Sequence, residues 1–129
     1  MPTLQHILFP FDFSSQSVQA APLVQALARR FSARITLLSI VPPAFEQASE
    51  ELDLRVGDNP TEWVRSLQTR LDQVLIDELA GLVVDRVAEA GDPALRIARF
   101  AHSHAVDLIM MPTHGQGVFR SLQIGRAHV

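Results

Sequence analysis

Residues 6–43 read HILFPFDFSSQSVQAAPLVQALARRFSARITLLSIVPP, and the fold follows from how apolar runs and breakers alternate along them. Ile7–Phe11 is a short, nearly continuous apolar run, and Ile35–Val41 is another. Runs of this length without in-and-out alternation suit strands buried on both faces of a parallel sheet. Between them, Ser14 or Ser15 can cap a helix that reaches about Phe31. Its apolar stripe would be Val18, Ala21, Leu23, Ala26, Leu27 and Ala28. Pro22 lies inside this stretch and predicts a kink or a late helix start.

Working outward, Val106–Met111 is a third apolar run. Leu82–Val87, with Asp85 and Arg86 inside it, reads as a strand nearer an edge. A second helix is signalled by Asn59 as N-cap, Pro60 as first residue and Glu62 as reciprocal cap. Val64, Leu67, Leu71, Val74, Leu75 and Leu79 then recur at helical spacing. A third helix opens with Asp92 and Pro93 and carries Leu95, Ile97, Ala98 and Ala101. The alternation predicts an α/β fold, an open parallel sheet with helices on both faces and right-handed crossovers. Pro42–Asp58 is the one long irregular stretch, expected as a surface excursion, and no internal repeat occurs.

Composition narrows the class. The chain has 129 residues, enough for one domain with its own core. A net charge of -3 argues against a general nucleic-acid or acidic-membrane surface. All 11 basic residues are Arg, which removes lysine Schiff-base chemistry and the P-loop lysine. With no Cys there is no disulfide, thiolate nucleophile or cysteine-ligated metal. No apolar run is long enough to span a bilayer, and the N-terminus lacks a signal-peptide pattern, so a cytoplasmic protein is expected.

In open sheets of this kind, ligands sit outside the carboxyl ends of the strands where the strand order reverses. That directs attention to Pro10–Ser15, Ser39–Pro43 and Met111–Ser121. Asp12 ends a buried strand before a helix; it can accept hydrogen bonds from a ligand or cap the turn, and position alone favours the cap. Thr113, His114, Gly115 and Gly117 follow the last apolar run, where small residues let backbone N–H groups approach an anion. A plain turn accounts for them equally well. His102 and His104, two apart on a helix, point in different directions and suit a helix C-terminus better than a metal. His6 has no evident partner, and no Ser-His-Asp or paired-carboxylate arrangement emerges from spacing.

Taken together, residues 6–43 and the stretch AGDPALRIARFAHSHAVDLIMMPTHGQG at 90–117 resemble the universal stress protein family. The match covers both ends of the chain and, over about Ala44–Leu79, only the pattern. The resemblance implies a Rossmann-like or flavodoxin-like sheet of order 3-2-1-4 with its fifth strand missing. It also implies ATP, held with Mg, and a homodimer when the chain is full-length. It places adenine and ribose near Pro10, Phe11, Asp12 and Ile40, and phosphates over Met111, Pro112, Thr113, His114 and Gly115 and the Gly125 turn. The family signature has Gly where this chain has Pro112, which offers no N–H and no positive φ. It has Ser or Thr where this chain has Arg126. The implied role is a stress regulator or sensor rather than an enzyme. The alternatives are an interaction or scaffold protein without nucleotide and, last, a nucleotide hydrolase, for which no general base or metal cluster is evident.

The family continues beyond the glycine loop with a helix and another strand, so the chain is expected to be C-terminally truncated. Residues 124–129, IGRAHV, also match one reading frame of a common sequencing adapter, and are expected to be non-native read-through. The fourth strand would then be an unpaired edge.

Overall fold

The computed structural model describes residues 4–42, 60–112 and 120–123. The elements in order are β1 (His6–Pro10), α1 (Ser15–Phe31), β2 (Arg34–Val41), α2 (Pro60–Leu71), β3 (Val84–Ala90), α3 (Pro93–Ser103), β4 (Leu108–Met111) and β5 (Arg120–Gln123). They build one sheet of order β3-β2-β1-β4-β5. The first four strands are parallel, in the expected order 3-2-1-4, and β5 alone is antiparallel, on β4. No fifth parallel strand occurs among the described residues, yet β4 is not the expected open edge. Its outer side is taken by residues 120–123, with Ile109 opposite Leu122.

The uniform apolarity of β1 is explained by burial on both faces. Ile7, Phe9, Ile35, Leu37 and Met110 point to one side and pack with Ala20, Ala21, Val24 and Ala28 of α1 and with Leu71, Leu75 and Leu79. Leu8, Leu38 and Ile109 point to the other and pack with Phe100 and Ala101 of α3. A smaller cluster of Val41, Leu67 and Ala88 joins α2 to the outer strands. Fully burying each such Leu or Ile contributes roughly 1.5–3 kcal/mol.

Several boundaries differ from the reading of the sequence. The buried stripe of α1 is Ser17, Ala20, Ala21, Val24 and Ala28, whereas Val18 and Leu23 are each 44% exposed. The helix starts at Ser15, capped by the Ser14 side chain, and carries on through Pro22, which sits on the solvent side. The second helix stops at Leu71 instead of reaching Leu79. Leu75 adopts φ +55°, so Leu75 and Leu79 reach the core from turns. The third strand lies later than expected, at Val84–Ala90, and is the outer strand, as its charged residues foretold. The last parallel strand begins at Leu108 rather than Val106. The Asn59 cap and the excursion after Pro42 lie outside the described residues.

Candidate functional site

The strand order reverses at β1, which lies between β2 and β4. At the carboxyl ends of these three strands, Pro10, Ile40 and Met111 are partly exposed. Laterally paired residues of a parallel sheet share a face, and Pro10 and Ile40 continue the face of Leu8 and Leu38. Met111 continues that of Ile109, and Ile40 and Met111 both pack against the cluster under α3. Three of the expected residues therefore form one apolar surface at the switch point. Pro112 follows it, half-exposed.

Phe11 is brought to the same end but turned away from it. Its ring is buried in the cluster beneath α1, edge-on to Phe9 and to Phe13 at 5.9 and 5.0 Å. What Phe11 offers the crevice is backbone; its N–H donates to the Leu38 carbonyl at 2.9 Å and carries the β1–β2 ladder one residue further.

Asp12 stands exposed just beyond β1, and its carboxylate is held by the start of α1. Oδ1 accepts from the Ser14 N–H at 2.9 Å and from the Ser17 hydroxyl at 2.7 Å. Burial raises its pKa, but the hydrogen bonds from Ser14 and Ser17 outweigh that and hold the carboxyl below its ordinary value. Among the described residues Oδ2 accepts no hydrogen bond. The capping role that position favoured is present, and it leaves one oxygen for other use. Between Asp12 and the helix, Phe13 takes φ +65°, an uncommon conformation for an aromatic residue. Its ring carries the Arg70 guanidinium at 4.4 Å. Neither Ser17 nor Arg70 was singled out from the sequence. The Ser14-x-x-Ser17 spacing at a helix start was the available signal for the first; nothing local points from Arg70 to Phe13.

Thr113, His114, Gly115 and Gly125 lie outside the described residues. Among the described residues, no group of three or more His, Cys, Asp or Glu side chains is arranged to hold a metal ion. No described helix is long and apolar enough to cross a membrane.

His6, which lacked a partner in the sequence, is 3% exposed, and its ring meets His104 and Thr36. Its Nδ1 donates to the His104 carbonyl at 3.0 Å, which leaves Nε2 to accept from the Thr36 hydroxyl at 2.8 Å. Burial lowers its pKa, with Arg34 adding to the effect. Beside it runs a groove of about 390 Å³ lined in part by Arg34, Asp85, Phe100 and His104. His102 and His104 are exposed at the end of α3, as expected, and His104 stacks on Phe100 at 3.8 Å.

No curated protein matches the chain significantly. Among solved structures, the fold is similar to universal stress protein UspA from Lactobacillus plantarum, with TM-score 0.62 and 24% identity over 90% of this chain and 81% of that one. A universal stress protein family member from Burkholderia pseudomallei gives TM-score 0.61 and 23% identity over 86% of this chain and 83% of that one. A universal stress protein solved in complex with cAMP gives TM-score 0.56 and 17% identity over 84% and 75% of the two chains. Residues 3–127 match the model of the universal stress protein family, and the chain belongs to that family.

Proposed function

We propose that this chain is a cytoplasmic, dimeric stress-response regulator or sensor that binds an adenine nucleotide at the carboxyl ends of β1, β2 and β4. The observation that carries this reading is the shared, partly exposed face of Pro10, Ile40 and Met111 at the point where the strand order reverses. A purine seeks such a flat apolar seat with a few polar groups at its rim. Asp12 supplies one, because its engaged Oδ1 fixes the carboxylate while Oδ2 is left to accept from a ribose hydroxyl. The phosphates, with Mg, would extend toward Pro112, Thr113, His114, Gly115 and Gly125. The similarly folded protein in complex with cAMP supports the ligand class.

Pro112 favours a second reading, an interaction protein without nucleotide, since a proline offers no N–H to a phosphate. Calorimetric titration with ATP plus Mg and with cAMP separates the two. Micromolar binding by the wild type, weakened at least about tenfold by Asp12→Asn and by Ile40→Glu, supports the nucleotide reading. Absence of binding by the folded wild type assigns the chain to the second.

A further inference from the structure

Among the described residues β3 is the outermost strand on its side of the sheet, and one side chain closes its outer edge. Gln68 Nε2 donates to the Arg86 carbonyl at 2.9 Å, and Gln68 Oε1 accepts from the Ala88 N–H at 2.8 Å. The second Nε2 hydrogen goes to Asp72 Oδ1 at 2.8 Å. These partners determine which way the amide points. Turned over, its NH2 group would meet the Ala88 N–H and its oxygen would meet a carbonyl and a carboxylate.

Within a strand the N–H and C=O of one residue point to the same side, and successive residues alternate. Arg86 and Ala88 therefore face away from β2, and so do Val84 and Ala90. A carbonyl and the N–H two residues later are what one residue of a neighbouring parallel strand would engage. The Gln68 carboxamide, chemically a peptide group, occupies that place. It is delivered by α2 beside Leu67 and one turn before Leu71, both fully buried, so the helix cannot withdraw it without opening the core.

We propose that Gln68 stands in for a further strand and keeps β3 from pairing with a second copy of this chain. The edge is seven residues long and in unbroken register with β2, which makes it a regular template for strand addition. Its charges already resist most self-pairings. In antiparallel pairing of two such edges, a centre at Asp85, Arg86 or Glu89 sets a charged residue against itself, and a centre at Val87 sets Asp85 against Glu89. A centre at Ala88 sets no like charges opposite each other. That register needs the Ala88 N–H, and this is the donor Gln68 occupies. The charges and the amide together disfavour every self-pairing that overlaps three or more residues of the edge.

Sedimentation across a concentration series, with circular dichroism to confirm folding, tests this on the whole chain. Gln68→Met keeps the half-buried stem and removes the amide. It is expected to associate beyond the wild-type state, with mean mass rising toward twice the wild-type value or more. Adding Ala88→Pro, which deletes the outward N–H at a position where an edge strand tolerates proline, is expected to restore the wild-type state. Gln68→Ala also removes the amide and is expected to associate in the same way. The proposal is overturned if folded Gln68→Met sediments as the wild type or if Ala88→Pro leaves its association intact; should Gln68→Met fail to fold, Gln68→Ala decides by the same two criteria.

Discussion

The hydroxyl of Ser17 donates to Oδ1 of Asp12 at 2.7 Å, so the acidic residue that ends β1 is positioned by the first turn of α1. Ser17 is 1% exposed, and its own N–H is received by the Ser14 hydroxyl at 3.1 Å. A site residue and a helix cap thus share one small network. Any change at Asp12 registers in folding as well as in ligand contact.

Asp12→Ala is therefore expected to destabilise the protein by about 1 kcal/mol, the usual order for losing hydrogen bonds of this kind. Asp12→Asn keeps an oxygen for Ser14 and Ser17 and should lose less. Urea unfolding of the three proteins at neutral pH checks the order. A larger loss for Asn than for Ala would contradict the network.

The same network sets an acid response. The Asp12 carboxyl lies below its ordinary value of 3.8 because its hydrogen bonds outweigh burial. Its stabilising contribution is present above 3.8 and is lost as the pH falls through the lowered folded-state value. The stability gap between wild type and Asp12→Asn should accordingly narrow on acidification, as read from unfolding midpoints.

His6 is shifted in the same direction for a different reason. Burial holds its pKa below 6.5, so between that lowered value and 6.5 the unfolded chain binds a proton that the folded one does not. Stability should fall as the pH is lowered from 6.5 toward the folded-state value. His6→Ala would leave the Thr36 hydroxyl, 2% exposed, without its partner and cost about 1–3 kcal/mol, while removing this part of the pH dependence. Nitrogen NMR of the imidazole should report the proton on Nδ1.

Gly91 joins β3 to α3 at φ +140°, and its N–H donates to the Val41 carbonyl at 3.0 Å. A Cβ there would stand 2.6 Å from Arg96 Nε. Gly91→Ala should cost about 1–3 kcal/mol in strain. Combining it with Arg96→Ala relieves the contact but not the backbone, so thermal melts should show only partial recovery.

The parallel core was legible because β1, β2 and β4 are buried on both faces and read as unbroken apolar runs. The capped helix starts were legible because Ser14 and Asp92 act on N–H groups three residues away. The end of the second helix was not: Leu75 and Leu79 keep a helical spacing, yet a positive φ at Leu75 delivers them to the same cluster from turns. Nor did the stripe of α1 announce itself, since hydrophobicity pointed to Val18 and Leu23, whereas the face turned to the sheet carries Ser17, Ala20, Ala21, Val24 and Ala28.

Local pattern thus determined, from the sequence by itself, the element order, the outer placement of the charged strand β3, and the carboxyl ends as the place to look. Long-range pairing decided the rest. Only the folded chain could show that residues 120–123 lie on β4, that His6 meets both Thr36 and His104, and that Gln68 reaches the outer edge of β3. Each of these joins groups whose encounter depends on how separate elements pack, and such encounters leave no periodic trace along the chain.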